Sequence, residues 1–389
     1  MNICTFLDEL YSAPTSMHLI SLFRSILLKK GYVEIAEMND ISEIPRQFFV
    51  IRESRALIAG NIFDNSKGII VTCSSDMPSM KVIMDSLHVE DGLEVVKTEL
   101  NGDAQWWSWI NRDLRMAGRV DFINGGKVES KLISTGYPVA VIPALAIHLT
   151  KGSSMNTKHT NGELSTAIIG INEDNDLSHS HISRIIEKEL GFTPEKIINY
   201  ELYLMDFEAP VYCGNKSSFI TGQGISSVGS SIVAFRSFLK SDQPKVGMKL
   251  FCTFEKHNND CKSTRAESNF LENVLQRIGC SPLFSRNSIL ISSEYVHPES
   301  EGTFNKDLSP PFYIEAKNAK IKPKSSRIIY LSGETTSSVL SRKLGMKYFE
   351  YGIKVSSLNS IKENADKIAI IGALKYLEVC YNSIENLKN

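Results

Sequence analysis

The sequence lacks the long apolar run that a membrane-spanning helix requires, since no stretch approaches about 18 consecutive apolar residues. It also lacks a secretory signal, because the first residues, MNICTFLDELYSAPTS, contain no basic segment followed by an apolar one. Internal repeats and low-complexity segments are absent as well. We therefore expect a protein that neither spans a bilayer nor carries an export signal.

Charge of one sign is not in excess, because 43 basic residues face 44 acidic ones and the formal net charge is −1. With that balance the sequence has no excess of positive charge that would favour binding to nucleic acid or to an anionic membrane surface. The seven cysteines are scattered, odd in number and form no C-x-x-C pair, which argues against a cysteine zinc site. A reducing, cytoplasmic location fits them best.

The pattern of apolar residues predicts an α/β protein. Residues 17–30 have helical spacing, and short β-rich runs follow up to residue 85. After residue 220, strands and helices alternate and end in a long helix predicted over 362–387, which indicates a layered domain with a largely parallel sheet. Between these two regions the pattern of apolar residues is different, and it includes a strand-like run, GYPVAVIPALAIHL, at 136–149. We predict one α/β domain, 1–85 and 220–389, interrupted by an inserted β-rich domain at 86–219.

A dense aromatic and charged stretch, WWSWINRDLRMAGRV, occupies residues 106–120 of the insert. Its alternation predicts a strand with indole rings on both faces, suited to burial between subunits or domains. Arg112 and Asp113 are expected to pair, and Gly118 to allow a tight turn before Arg119. These features predict an assembly role for the segment rather than a chemical one.

The same stretch resembles a motif of the aspartyl aminopeptidase and vacuolar aminopeptidase family, in which Trp-x-x-Arg-Asp-Leu-x-x-Ala-Gly-Arg-Val appears here as WINRDLRMAGRV. The family's further motifs follow in order as APTSMH at 13–18, IRESRALIAG at 51–60, VIPALAIHL at 141–149 and ELYLMD at 201–206. The resemblance implies the fold of these dinuclear zinc exopeptidases, with an inserted dimerisation domain. It also implies a homo-oligomer, either a dimer or the family's tetrahedral dodecamer.

The resemblance does not extend to the family's metal ligands. The positions of those ligands carry Ser74, Ser226, His257, Glu294 and Asn359. The family's Glu pair, which supplies the general base and one ligand, falls on EKHNN, where His257 takes one position and either Lys256 or Asn258 takes the other. Only Glu294, in place of an Asp, is a conservative change. Hydroxyl and amide groups are poor zinc ligands beside imidazole and carboxylate, so we expect no metal cofactor.

Three further residues belong to the predicted remnant of the cleft. Asp76 matches the family's Asp that orients the first histidine ligand. Asp76, His257 and Glu294 together could form a different zinc or iron site, but hydrogen-bonding residues lining a vestigial cleft are the favoured interpretation. His297 either contributes to that alternative metal site or lies in a surface loop. His148 matches the family's dimer-partner histidine, with either substrate contact or interface packing as its role.

We therefore predict a family member that is catalytically inactive and has a structural, regulatory or peptide-binding role. The alternative is a metal-dependent aminopeptidase, with zinc, that removes N-terminal residues through an altered or mononuclear site. Hetero-assembly with an active paralogue is a further possibility. Neither nucleic acid nor a membrane is an expected partner.

Overall fold

A computed structural model describes residues 2–37, 44–144, 166–172, 181–258, 260–294 and 335–387. Internal contacts separate the chain into two units. The first comprises residues 1–77, 210–358 and 363–389, and the second comprises 78–209 and 359–362. The first boundary therefore follows residue 77 rather than 85, and the second follows 209 rather than 219. Strand pairing explains both differences, since Ser79–Val82 joins the sheet of the second unit and Val211–Cys213 joins a sheet of the first.

In the described ranges, α-helices span Ile3–Ser12 (α1), Ser16–Lys29 (α2), His181–Leu190 (α3), Ser230–Lys240 (α4), Phe270–Arg277 (α5), Pro282–Asn287 (α6), Thr336–Leu344 (α7) and Lys367–Asn382 (α8). Strands of the first unit span Val33–Ile35 (β1), Gln47–Arg52 (β2), Ala56–Ile62 (β3), Gly68–Ser74 (β4), Val211–Cys213 (β12), Phe219–Gly222 (β13), Met248–Phe254 (β14), Ile289–Ser292 (β15), Lys347–Glu350 (β16), Val355–Ser356 (β17) and Glu363–Asp366 (β18). Strands of the second unit span Ser79–Val82 (β5), His88–Glu90 (β6), Leu93–Asn101 (β7), Leu114–Asn124 (β8), Lys127–Ser134 (β9), Thr166–Ile171 (β10) and Lys196–Asp206 (β11).

The main sheet of the first unit has the order β1-β2-β3-β14-β4-β15-β16. Strand β3 is antiparallel to both neighbours, and the remaining pairs are parallel. Every residue of β4 and β14 is buried, as expected for near-continuous apolar strands covered on both faces. Since β4, β14 and β15 are parallel, their carboxyl ends lie along one edge of the sheet. The predicted α/β class is confirmed.

The second unit contains an antiparallel sheet with the order β10-β7-β5-β11-β8-β9. Helix α3 packs its apolar residues, Ile182, Ile185, Ile186 and Leu190, into the core of this unit. Gly118 lies inside β8 opposite Leu202 of β11, so the predicted turn at this position is wrong. A Cβ atom at Gly118 would come within 1.9 Å of the Glu201 carbonyl oxygen, which explains the glycine by close backbone approach.

Three local predictions differ from the structure. Helix α8 begins only at Lys367, because residues 363–366 form β18 and the Asp366 side chain caps the helix by accepting from the Ile368 N–H. Residues 136–144 contain isolated bridges instead of a strand, and the rest of that run lies outside the described residues. Residues Trp106–Trp109 form a 3-10 turn instead of a strand. No helix within the described ranges is long and apolar enough to cross a membrane.

Candidate functional site

The candidate site lies where β4, β14 and β15 end at the same edge of the main sheet. Strand β4 ends at Ser74, and two backbone hydrogen bonds continue the sheet beyond the strand ends, from Ser75 N to Phe254 O and from Ser293 N to Thr72 O, both 2.8 Å. The segments that follow carry Asp76, Lys256–Asn258 and Glu294. The predicted convergence of these three segments is therefore present.

Asp76 holds the loop after β14 through its carboxylate. Its Oδ1 accepts the Lys256 N–H at 2.8 Å, and its Oδ2 accepts those of His257 at 2.9 Å and Asn258 at 2.8 Å. Burial raises the pKa of Asp76, and the three N–H groups offset part of that shift. The carboxylate therefore binds backbone amides where the family's Asp would orient a metal-ligating histidine.

Glu294 is neutralised by a lysine. The Glu294 carboxylate is buried; its Oε2 lies 2.8 Å from the Lys256 ammonium, and its Oε1 accepts the Thr336 N–H at the start of α7 at 2.9 Å. Burial alone would raise the pKa of Glu294, but the lysine charge and the Thr336 donors outweigh it and hold the pKa below its usual value. The position that resembles a metal ligand thus already has a cationic partner within the chain.

Sequence reasoning missed a third buried carboxylate of the site, Glu255, directly after β14. It accepts from Ser16 Oγ at 2.6 Å, Thr264 Oγ1 at 2.7 Å, Arg55 Nη1 at 3.2 Å and Asn258 Nδ2 at 3.3 Å. Burial and the nearby Asp76 raise the pKa of Glu255, and Arg55 offsets part of the shift. Glu255 is the first residue of EKHNN, and the prediction gave the positions of the Glu pair to His257 and either Lys256 or Asn258, which left Glu255 without a role.

Ser226 is bound to Glu363, the second buried carboxylate that the sequence did not single out. Its backbone N–H donates to Glu363 Oε2 and its hydroxyl to Glu363 Oε1, both at 2.7 Å, and both residues are buried. Glu363 belongs to β18, in the stretch predicted to be helical, which is why it was overlooked. The Ser226 hydroxyl thus donates to a carboxylate, which is not the role of a bridging metal ligand.

Two other predicted positions have the following contacts. The Ser74 carbonyl accepts from the Ser231 hydroxyl. Asn359 belongs to the second unit, where its amide Nδ2 donates to the Asp103 carbonyl at 2.9 Å. His148 and His297 lie outside the described residues.

The donor set does not fit a dinuclear zinc centre. Such a centre holds two metals about 3.5–4 Å apart with a bridging carboxylate and terminal imidazole or carboxylate ligands. Here the predicted bridging position is Ser226, whose hydroxyl donates to Glu363, and Glu294 is paired with Lys256. Within the described residues, no three His, Cys, Asp or Glu side chains are placed to share a metal ion. The alternative site of Asp76, His257 and Glu294 does not form in that part of the chain.

The tryptophan segment of the second unit is a packing element. Trp109 is fully buried and its ring centroid lies 5.0 Å from that of Trp106, whereas Trp107 is 61% exposed. Arg112 does not pair with Asp113 as predicted; its Nη2 lies 3.1 Å from both carboxylate oxygens of Asp206. The segment therefore organises the interior of its own unit.

The α/β fold is that of the class of proteins to which solved aminopeptidases belong. A family model described as aminopeptidase I zinc metalloprotease (M18) matches residues 9–303. The chain belongs to the M18 peptidase family, as its motifs predict.

Named relatives and solved structures agree with this assignment. An aspartyl aminopeptidase of Caenorhabditis elegans is 25% identical over 98% of this chain and 95% of its own length. A probable M18 family aminopeptidase 2 of Clostridium acetobutylicum is 28% identical over 75% of this chain and 71% of its own. Among solved structures, Chaetomium thermophilum mApe1 has a TM-score of 0.85 at 21% identity, covering 99% and 98% of the two chains. The S. cerevisiae mApe1 dodecamer has a TM-score of 0.81 at 18% identity, covering 98% and 97%.

Proposed function

We propose that this M18-family protein is catalytically inactive as an aminopeptidase and acts as a structural, regulatory or peptide-binding subunit of an oligomer. The observation that carries the proposal is the ion pair between Lys256 and Glu294. In it, a lysine ammonium supplies the positive charge beside a carboxylate that corresponds to a metal ligand. Lysine has donors and no acceptor, so the same ammonium cannot bind a metal.

Loss of the family's Glu pair supports the proposal independently of the metal. A positioned general base contributes roughly 10²–10⁴ in rate. In this chain the loop that corresponds to the pair presents Lys256, His257 and Asn258, and the backbone N–H groups of all three are bound to Asp76. The neighbouring carboxylate of Glu255 is already occupied by four donor groups.

The direct test is an assay of the purified chain on aspartyl-, glutamyl- and leucyl-anilides, with zinc, manganese or cobalt added and an active M18 enzyme as the positive control. We expect no turnover above the protein-free rate with any metal. Turnover that disappears in Glu294→Ala or His257→Ala would overturn the proposal in favour of an aminopeptidase with an altered or mononuclear site. Turnover that survives both substitutions would point to a contaminating enzyme, and a Ser226→Ala preparation should then retain it.

For assembly we propose a homo-oligomer, a dimer or a dodecamer. Support comes from the match of the whole chain to M18 relatives and from the dodecameric state named for the S. cerevisiae structure. Light scattering at micromolar concentration should give a mass of at least two chains, and a monomer would contradict this proposal. Affinity capture from the native cell tests an active paralogue or bound peptides as partners.

For location we propose the cytoplasm. Support comes from the seven cysteines, all of which are free thiols. Disulfides are rare in reducing compartments, so unpaired cysteines are expected there. A fluorescent fusion should give a diffuse cytosolic signal, and enrichment in a secretory or vacuolar compartment would contradict this location.

A further inference from the structure

The second unit contains a cavity of its own. None of its lining residues belongs to the candidate site at the main sheet. It has a volume of about 290 Å³ and is lined by residues of α3, of β10 and of the segment after β9. The apolar part of the lining includes Tyr137, Val139 and Ile169. Helix α3 contributes the basic residues His181, Arg184 and Lys188. An apolar lining with a few polar groups is the usual make-up of a small-molecule site.

These three basic residues lie on one face of α3, and its apolar residues lie on another. Ile182, Ile186 and Leu190 of this helix are buried in the unit's core. Residues three, four and seven positions apart lie on the same side of a helix, so 181, 184 and 188 form one row facing the cavity.

Two carboxylates lie near this row, but neither lines the cavity. The buried carboxylate of Glu94 lies 2.6 Å from His181 Nδ1, and Glu189 follows Lys188 on α3. The Lys188 ammonium lies 3.6 Å from the centre of the Tyr137 ring, a cation–π contact. Across the described ranges, neither Arg184 nor Lys188 forms an ion pair with a carboxylate.

We propose that this cavity binds a small organic anion, a carboxylate or phosphate monoester carried on an apolar body. Arg184 would contact the anionic group in the forked geometry that guanidinium offers to carboxylate and phosphate. Lys188 adds a second positive charge, and the apolar body lies against Val139 and Ile169. The proposal concerns the second unit alone and holds whether or not the first unit is an active peptidase.

The test is isothermal titration calorimetry of the full-length protein at low salt with three probes of similar shape: phenylacetate, phenyl phosphate and the neutral phenylacetamide. We expect saturable binding of at least one anion, with the neutral amide at least tenfold weaker. Binding of phenylacetate alone would assign a carboxylate ligand, and binding of phenyl phosphate alone would assign a phosphate ester. The affinity should fall as salt is raised from 20 mM to 500 mM, because the cations are exposed to solvent.

Two variants locate the binding. Arg184→Gln should weaken the anion roughly tenfold or more, as expected for a charge-assisted hydrogen bond. Lys127→Gln removes one exposed positive charge elsewhere in the same unit and should change the affinity less than about twofold. Both residues are exposed, so neither change should affect folding. Equal binding of anion and amide, equal weakening by the two substitutions, or no binding of any probe would overturn the proposal.

Discussion

The two units differ in what remains of the family's sequence. In the second unit, the segment from Trp109 to Val120 keeps the family pattern, and its side chains Trp109, Leu114, Met116 and Val120 are buried together in one core. In the first unit, the residues at the strand ends differ from the pattern that the resemblance predicts for metal ligands. There Lys256 binds Glu294, and Ser226 binds Glu363.

The comparison shows two different constraints. A packed core position must keep its volume, because any change leaves a cavity or a clash. A polar position at a strand end must only keep every buried charge and polar group partnered. The Lys256–Glu294 pair meets that requirement, whereas loss of the Trp109 side chain would leave a cavity.

The largest effect should come from the core of the second unit. Trp109→Ala should lower the free energy of unfolding by about 3–5 kcal/mol, because a fully buried aromatic side chain is removed. Trp107→Ala is the matched control, since Trp107 is 61% exposed and its loss should change stability by less than about 0.5 kcal/mol in a monodisperse sample. Urea denaturation checks both. Equal losses would show that the two indoles are buried alike, for instance in an oligomer interface.

A second effect tests the backbone contact in the same unit. Gly118→Ala should destabilise the protein by about 1–3 kcal/mol or more, because its Cβ would meet the Glu201 carbonyl across the sheet. Gly136→Ala is the control, since a Cβ there has no neighbour within 4 Å. Thermal unfolding of the two variants should separate them clearly. A neutral Gly118→Ala would mean that β8 and β11 are not in this register.

A third effect tests the internal ion pair of the first unit. Lys256→Met should lower the free energy of unfolding by about 1–3 kcal/mol at pH 7, because Glu294 is left buried without its cation. The loss is moderate because the lysine is partly exposed and water already screens part of the ion pair. Lys262→Met removes an exposed positive charge from the same unit and should be nearly neutral. The double variant Lys256→Met with Glu294→Gln should recover part of the stability.

The pH dependence of that cost has a definite sign. The folded-state pKa of Glu294 lies below its unfolded value of about 4.3, so the stabilisation is complete above that pH. It is lost as the pH falls through the lowered folded-state pKa. The difference between the wild-type protein and Lys256→Met should therefore be full at pH 7 and shrink at acidic pH in urea denaturation series. A difference that is independent of pH would contradict the ion pair.

Much of the fold was predictable from the sequence, because apolar periodicity and motif order reflect the same packing that builds the sheets. Helix α2 and the short strands β2, β3 and β4 lie where the pattern predicts them. The secondary-structure predictions are wrong where backbone contacts override the local pattern of apolar residues. The Trp106–Trp109 turn alternates like a strand, and Glu363–Asp366 precedes a helix but pairs with β13.

The candidate site was predictable in position and only partly in chemistry. The resemblance placed Asp76, His257 and Glu294 at converging strand ends, but it carried no information on what would replace the metal. That answer depends on side chains brought together from distant parts of the chain, namely Lys256 against Glu294 and Glu363 against Ser226. Residue type alone does not reveal such pairs, because a lysine in a loop usually remains in water.

The most direct test of the central claim is the metal content of the purified protein. Elemental analysis should follow incubation with excess zinc and dialysis against metal-free buffer, with an active M18 aminopeptidase treated in parallel. The internal Lys256–Glu294 pair predicts far less than one zinc per chain, while the active enzyme retains its metal. Two zinc ions per chain, lost on Glu294→Ala, would contradict the account.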